Sequence, residues 1–264
     1  MNLVPLALYA AAFVAYTLHF ARRTPVSARL ATTTLAAATL AHTFIIGMQT
    51  MEVGQVPVFD ATSAISMFVW LLAVAYLYTE VTTDERAMGV FILPLVIALQ
   101  AIPAFKASGV PSSVLRGPLF GVHVSSLMFA YASFALACVI GITYVLLFKE
   151  IKTKHLGVFY AQLPSLQVLD QMNQRAIVVG WVFLTIGLVA GVVFASQAHV
   201  PAISVQDPKI VVALICWAVY SFELFAARRI GWAGRRTAYL SALGFAIVLL
   251  NFVPISYLTS SHRF

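Results

Sequence analysis

The sequence predicts an all-α fold: a polytopic membrane helical bundle of about eight transmembrane helices, with both termini outside. Three observations lead there. Of 264 residues, 61% are hydrophobic and 9% charged, with a mean hydropathy of +0.94; a soluble domain carries about a quarter charged residues. The apolar residues run continuously over lengths near the roughly 20 that cross a hydrocarbon core as a helix, and not in the alternating segments of about ten that mark a β-barrel. The basic residues are unevenly shared between the loops.

Eight apolar runs can be read, at about 3–20, 30–48, 63–80, 87–103, 120–148, 175–195, 209–227 and 237–258. The first has no basic residue before it, so it reads as a span and not as a cleaved signal peptide. Arg22 and Arg23 follow it and place the N-terminus outside. Loops assigned alternately from there put Arg22, Arg23, Arg29, Arg86, Lys149, Lys152, Lys154, Arg175, Arg228, Arg229, Arg235 and Arg236 inside. Lys106, Arg116, Lys209 and Arg263 fall outside. Twelve against four is a positive-inside bias. The net charge of +7 is then a topology signal and calls for no nucleic-acid partner.

The inner connections 21–29 and 81–86 are too short for a soluble domain, and the chain reads as a single membrane domain, 1–264. The longest inner segment, 149–174, opens on interfacial lysines. Ser165 is then placed as the N-cap of a short surface helix. Leu166, Leu169 and Met172 are spaced on one face of that helix, which leads into the sixth span. That span carries Gly180, Gly187 and Gly191; the last two form GxxxG, read as a seat for close packing within the bundle. The fifth span has a small-residue face at Ser126, Ala130, Ser133 and Ala137. The outer loops hold Gly54, Pro57 and Asp60, then Pro111, Gly117 and Pro118, then His199, Pro201 and Asp207. Proline fixes φ and removes a donor, so these loops are expected to be shaped, and able to fold over the bundle.

Cys138 and Cys216 lie within spans and form no CxxC, which argues against thiolate zinc binding or redox exchange; they read as small buried apolar residues. His19 and His155 read as interfacial, solvated groups. His42 lies inside the second span, where a polar group is either a functional or a hydrogen-bonded structural element. Glu223 reads as the only carboxylate well inside a span, either a proton-relay group or, as the simpler reading, paired with a nearby base such as Arg228 or with a hydroxyl.

His123, His199 and His262 all come out on the outer side. Neutral imidazole is a common metal ligand. Two converging histidines suffice for the axial positions of a haem iron, while zinc asks for three or four ligands; Glu52, Asp60 and Asp207 are the outer carboxylates available to complete such a set. Spacing leaves haem and zinc both open. Asp207-Pro208-Lys209 opens the seventh span, with Asp207 as N-cap and Pro208 at the first helical position. A cation at a helix start gains nothing from the dipole, so Lys209 is read as meeting an anionic ligand such as a haem propionate.

The last sixty residues carry a resemblance. Asp207-Pro208-Lys209 is followed by Trp217 and Tyr220, then by Gly231-Trp232-Ala233-Gly234-Arg235-Arg236, Leu243-Gly244-Phe245, Tyr257 and His262-Arg263-Phe264. This resembles the C-terminal half of cytochrome c assembly proteins of the CcsA type. His123-Val124-Ser125-Ser126 through Tyr131 is similar to the histidine-led span of that family. Pro57 with Asp60 is similar to its first outer loop, and Leu163-Pro164-Ser165 through Leu169-Asp170 to its inner connector.

The resemblance implies a haem-handling membrane protein in a bacterial cytoplasmic membrane, presenting haem b as cargo at the outer face for attachment to apocytochrome c. His123 and His262 would be the axial ligands, with Lys209 and Asp207 at the propionate end and a ResB/CcsB-type membrane partner. Any enzymatic role would be as one component of a cytochrome c synthase complex. Two features depart from the family pattern. The loop before Asp207 has no tryptophan, and Phe225 stands where the family has an intramembrane histidine. These departures resemble the smaller HemX/YpjD-like relatives. They imply an alternative, a regulatory or scaffolding protein that holds no haem. A transporter is the weakest reading, because paired Gly/Pro breaks in corresponding spans are missing.

Overall fold

The computed structural model describes residues 3–58, 60–106, 117–154, 157–197 and 208–252. Among them the chain is helical, without a strand: α1 Leu3–Arg22, α2 Pro25–Val53, α3 Ala61–Thr83, α4 Gly89–Phe105, α5 Pro118–Thr153, α6 Val158–Gln162, α7 Leu166–Gln197, α8 Pro208–Phe225, a π-helical turn Ala226–Ile230 and α9 Arg235–Phe252. Six of these are long and apolar enough to cross a membrane: α1, α2, α3, α5, α7 and the stretch Ile210–Ile230. The chain is thus a polytopic membrane bundle, as expected. α4, at 17 residues, is shorter, and it holds Pro94 and Pro103.

Local sequence sets the helix starts. Thr24 caps α2 through Ser27, with Pro25 in the first turn, and Asp60 caps α3 through Ser63; each pair satisfies donors that the first turn leaves free. Pro118 opens α5 after Gly117. Ser165 Oγ accepts from the Val168 N–H at 3.3 Å, the N-cap expected of it. The expected surface helix and the sixth span are a single helix, α7, with no break between them.

The core is centred on α5, which packs most extensively on α7 and also on α9 and α3. α1 lies between α2 and α4. The small face of α5 (Ser126, Ala130, Ser133 and Ala137) is buried throughout. Close approach is made possible by missing side chains. The Phe134 ring lies over Gly180 of α7, the Tyr220 ring over Gly244 of α9, and the two rings stack with centroids 3.6 Å apart. Trp181 and Trp217 tie α7 to α8 by crossed hydrogen bonds. Trp181 Nε1 donates to Ser221 Oγ at 2.7 Å and Trp217 Nε1 to Thr185 Oγ1 at 3.0 Å.

The turns read as inner meet at one end of the bundle. Arg23 donates to the Gln162 carbonyl. Arg175 donates to the Thr82 carbonyl at 2.5 Å. Arg86 Nε donates to Thr32 Oγ1 at 3.1 Å and its NH1 pairs with Asp84 at 2.9 Å. Glu150 accepts from the Gly157 and Tyr160 N–H groups at 2.8 and 2.6 Å. The Asp170 carboxylate of α7 accepts from the Gly234 N–H at 2.8 Å and the Thr237 hydroxyl at 3.1 Å, capping α9. Arginines here serve as local clamps as well as topology signals.

Candidate functional site

His123 stands in the second turn of α5, at the end opposite the basic turns, and is half-buried. Its ring lies against α7, where a side chain on Gly191 would collide with it: a Cβ there would sit 2.6 Å from both Cε1 and Nδ1. Nδ1 is 2.7 Å from the Gly187 carbonyl oxygen. A carbonyl only accepts, so Nδ1 carries the proton. The Nε2 lone pair is then the one left for a ligand, and no hydrogen bond among the described residues engages it. Metal-binding histidines generally have this arrangement, one ring nitrogen donating to a backbone carbonyl that fixes tautomer and orientation. Gly187 and Gly191 are the GxxxG of the sixth span. Its function here is intramolecular: Gly191 makes room for the imidazole, and Gly187 for the Leu127 side chain while its carbonyl holds the ring.

His199, Asp207 and His262 lie outside the described residues. Pro208 is the first residue of α8, the helical start expected of it. Lys209 follows within that first turn, and its side chain is outside what the structure describes. Asp60, a candidate zinc ligand by composition, is instead a helix cap, its Oδ1 accepting from the Ser63 N–H at 2.8 Å. Among the described residues, no three His, Cys, Asp or Glu side chains gather in a metal-binding group.

A cavity of about 580 Å³ opens at the same end as His123, within the size range of small-molecule pockets. Gln55, Val56, Val58, Phe120, Gly121 and Ser125 are among the residues lining it. His123 does not face it; the ring points from the other side of α5 toward α7.

The remaining polar side chains sort by their partners. His42 is fully buried, with Nδ1 3.1 Å from the Tyr9 hydroxyl and Nε2 3.0 Å from Ser66 Oγ. Both ring nitrogens are engaged, so this histidine links α1, α2 and α3. His19 is not simply solvated: its Nδ1 lies 3.0 Å from Ser27 Oγ, across the α1–α2 turn. His155 lies outside the described residues. Glu223 meets a hydroxyl and not Arg228, which is exposed: Ser241 Oγ lies 2.8 Å from Glu223 Oε1.

Glu223 is not the only buried carboxylate. Glu80, near the end of α3, is fully buried and accepts from the Tyr16 hydroxyl and from Thr32 Oγ1, the latter at 2.6 Å. Sequence reading passed over it because it falls at a span boundary. Its partners lie 64 and 48 residues away, and the only local signal was its spacing of six residues from Arg86.

Two of the resembling segments meet in space. Asp170 of the connector leading into α7 caps the helix that follows the Gly231–Arg236 motif, and the hydroxyl end of Tyr144 lies against Gly234. Gly234 has φ +68°, a conformation that suits glycine. Arg235 lies over Phe148 at 4.8 Å and Arg236 over Trp232 at 5.3 Å.

The chain is also similar in sequence to known proteins. The chain is 28% identical to the cytochrome c biogenesis protein CcsA of Guillardia theta, over 82% of this chain and 78% of that one. It is 25% identical to CcsA of Gloeobacter violaceus, over 96% and 92%, and 25% identical to CcsA of Synechococcus elongatus, over 87% and 85%. The family profile described as cytochrome C assembly protein matches residues 2–261, and the chain belongs to that family.

Proposed function

We propose that this cytochrome c biogenesis membrane protein handles haem directly. It presents haem b, as cargo, at the outer face of a bacterial cytoplasmic membrane for attachment to apocytochrome c. His123 and His262 are the axial iron ligands of this reading, Lys209 contacts a propionate, and Asp207 caps the helix that carries Lys209. The observation that carries the reading is the state of His123. Its Nδ1–H is committed to the Gly187 carbonyl at 2.7 Å, so Nε2 is the ring nitrogen left as an oriented donor. That is the donor chemistry a haem iron accepts from histidine.

No described side chain is placed for acid–base chemistry on the cargo. The protein's contribution is placement: holding the reacting carbon near an apocytochrome thiol converts a bimolecular encounter into an oriented one. A ResB/CcsB-type membrane partner fits this role, as a second component of a cytochrome c synthase complex.

Purification of the full-length protein, with an absorption spectrum of wild type, His123→Ala and His262→Ala, tests the reading. A Soret band that is weakened or shifted in both variants supports it. Absence of haem from the wild type, or a band indifferent to both changes, overturns it.

The tryptophan-free loop before Asp207 favours a second reading, a HemX/YpjD-like regulatory or scaffolding protein. Deleting the gene separates the two. Loss of c-type cytochromes supports haem presentation; unchanged cytochromes with altered haem-precursor levels support regulation.

A further inference from the structure

Three helices bring a buried polar cluster together in the basic half of the bundle. Asn173 comes from α7, Glu223 from α8, and Thr237 and Ser241 from α9. Glu223, Thr237 and Ser241 are fully buried and Asn173 is 2% exposed. The cluster has more acceptors than donors. Asn173 Nδ2 donates to Ser241 Oγ at 2.9 Å. The single Ser241 hydroxyl proton serves either Glu223 Oε1 at 2.8 Å or the Thr237 carbonyl at 2.9 Å. The Thr237 hydroxyl is directed to Asp170 and the Gly234 carbonyl. Glu223 Oε2 and Asn173 Oδ1 are left buried with no hydrogen-bond partner among the described residues.

Among the described residues, nothing basic compensates for the carboxylate. From α7, Arg175 is directed to the Thr82 carbonyl. From α9, Arg235 lies over Phe148 and Arg236 over Trp232. Arg228 and Arg229 of the π turn are exposed. Asp170, of the same sign as the carboxylate, joins the same network through the Thr237 hydroxyl at 3.1 Å. On α8 itself the neighbouring titratable groups are Tyr220 and Cys216, and Tyr239 of α9 is exposed. An ionised carboxylate buried without a counter-charge is strongly disfavoured.

We infer that Glu223 is a proton-binding site inside the bundle, its carboxyl group held in the neutral form with the proton on Oε2. Protonation converts an orphan acceptor into the donor that the cluster lacks. The chain geometry beside it is irregular as well. The π-helical turn Ala226–Ile230 begins three residues after Glu223 and ends at Gly231, φ +73°; such π segments recur at functional sites. A proton held here is the ligand that a proton-linked step of the bundle would exchange.

Infrared difference spectroscopy on the full-length protein in lipid vesicles, wild type minus Glu223→Gln at neutral pH, tests this. The expected result is a carboxylic-acid carbonyl band that moves in D2O and is absent from the variant. Loss of carboxylate bands alone overturns the inference. So does a wild-type unfolding midpoint that depends on replacing choline with sodium, which would assign the cluster to a metal cation. If Glu223→Gln does not accumulate, Ser241→Ala removes the donor to Oε1 and must shift the same carbonyl band; a spectrum without such a shift overturns the inference.

Discussion

Gly191→Ala tests the seat of His123 with one added methyl group. The new Cβ would lie 2.6 Å from Cε1 and Nδ1 of the ring. Carbon atoms rest at about 3.5 Å or more, so the imidazole must retreat by roughly 1 Å. Its Nδ1–H bond to the Gly187 carbonyl, now 2.7 Å, then stretches beyond hydrogen-bond range, about 3.5 Å. Overpacking costs about 1–3 kcal/mol and the lost hydrogen bond about 0.5–1.5 kcal/mol, for a sum of about 1.5–4.5 kcal/mol of stability. Loss of the group that orients a ligating histidine lowers metal affinity by about 10–100-fold. The assay is hemin titration of the purified full-length protein followed at the Soret band, with thermal unfolding measured on the same samples. Gly47→Ala is the matched control. It sits within α2 with nothing inside 4 Å of the added Cβ and should be neutral or stabilising by about 0.5–1 kcal/mol. Wild-type hemin affinity in Gly191→Ala, alongside its loss in His123→Ala, would refute the positioning argument. Unchanged stability would refute the packing argument.

Two further outcomes follow from the end of the bundle where the basic turns meet. Asp170→Ala should cost about 0.5–2 kcal/mol, because it removes the acceptor for the Gly234 N–H and the Thr237 hydroxyl; Asp170→Asn, which keeps a capping oxygen, should recover most of it in thermal unfolding. Gly89→Ala would place a Cβ 2.1–2.7 Å from three Tyr16 ring carbons and displace the hydroxyl that donates to Glu80. A loss of about 1–3 kcal/mol is expected in the same measurement, and wild-type stability would contradict the close packing of α1 on α4.

Much of the site's scaffold was legible from short stretches of chain. Ser165 as the cap of α7 and Pro208 as the first residue of α8 follow from local sequence and are found there, because capping is settled within one turn. The caps at Thr24 and Asp60 are just as local, yet Asp60 reads in the sequence as a loop carboxylate. The GxxxG of α7 was legible as a packing surface, but what fills it was not. A glycine pair states only that a neighbour comes close, and His123 lies 64 residues from Gly187. The same limit hid Glu80, whose hydroxyl donors come from α1 and α2, and it left Arg228 as a candidate partner for Glu223 when Ser241 of α9 is the real one.

By itself the sequence determined the membrane class, the helical fold and the gathering of basic residues in one set of turns. Those properties depend on hydropathy over about 20 residues and on charge count, both sums over neighbours in the chain. Only the tertiary structure decided that His42 is engaged on both sides, that Asp170 caps the helix after Gly234 and, among the described residues, which ring nitrogen of His123 is free and that Glu223 Oε2 has no donor. Hydrogen bonds and close contacts act over about 3–4 Å. The residues that make them here are tens of positions apart, and only the packing of one helix on another brings them within that reach.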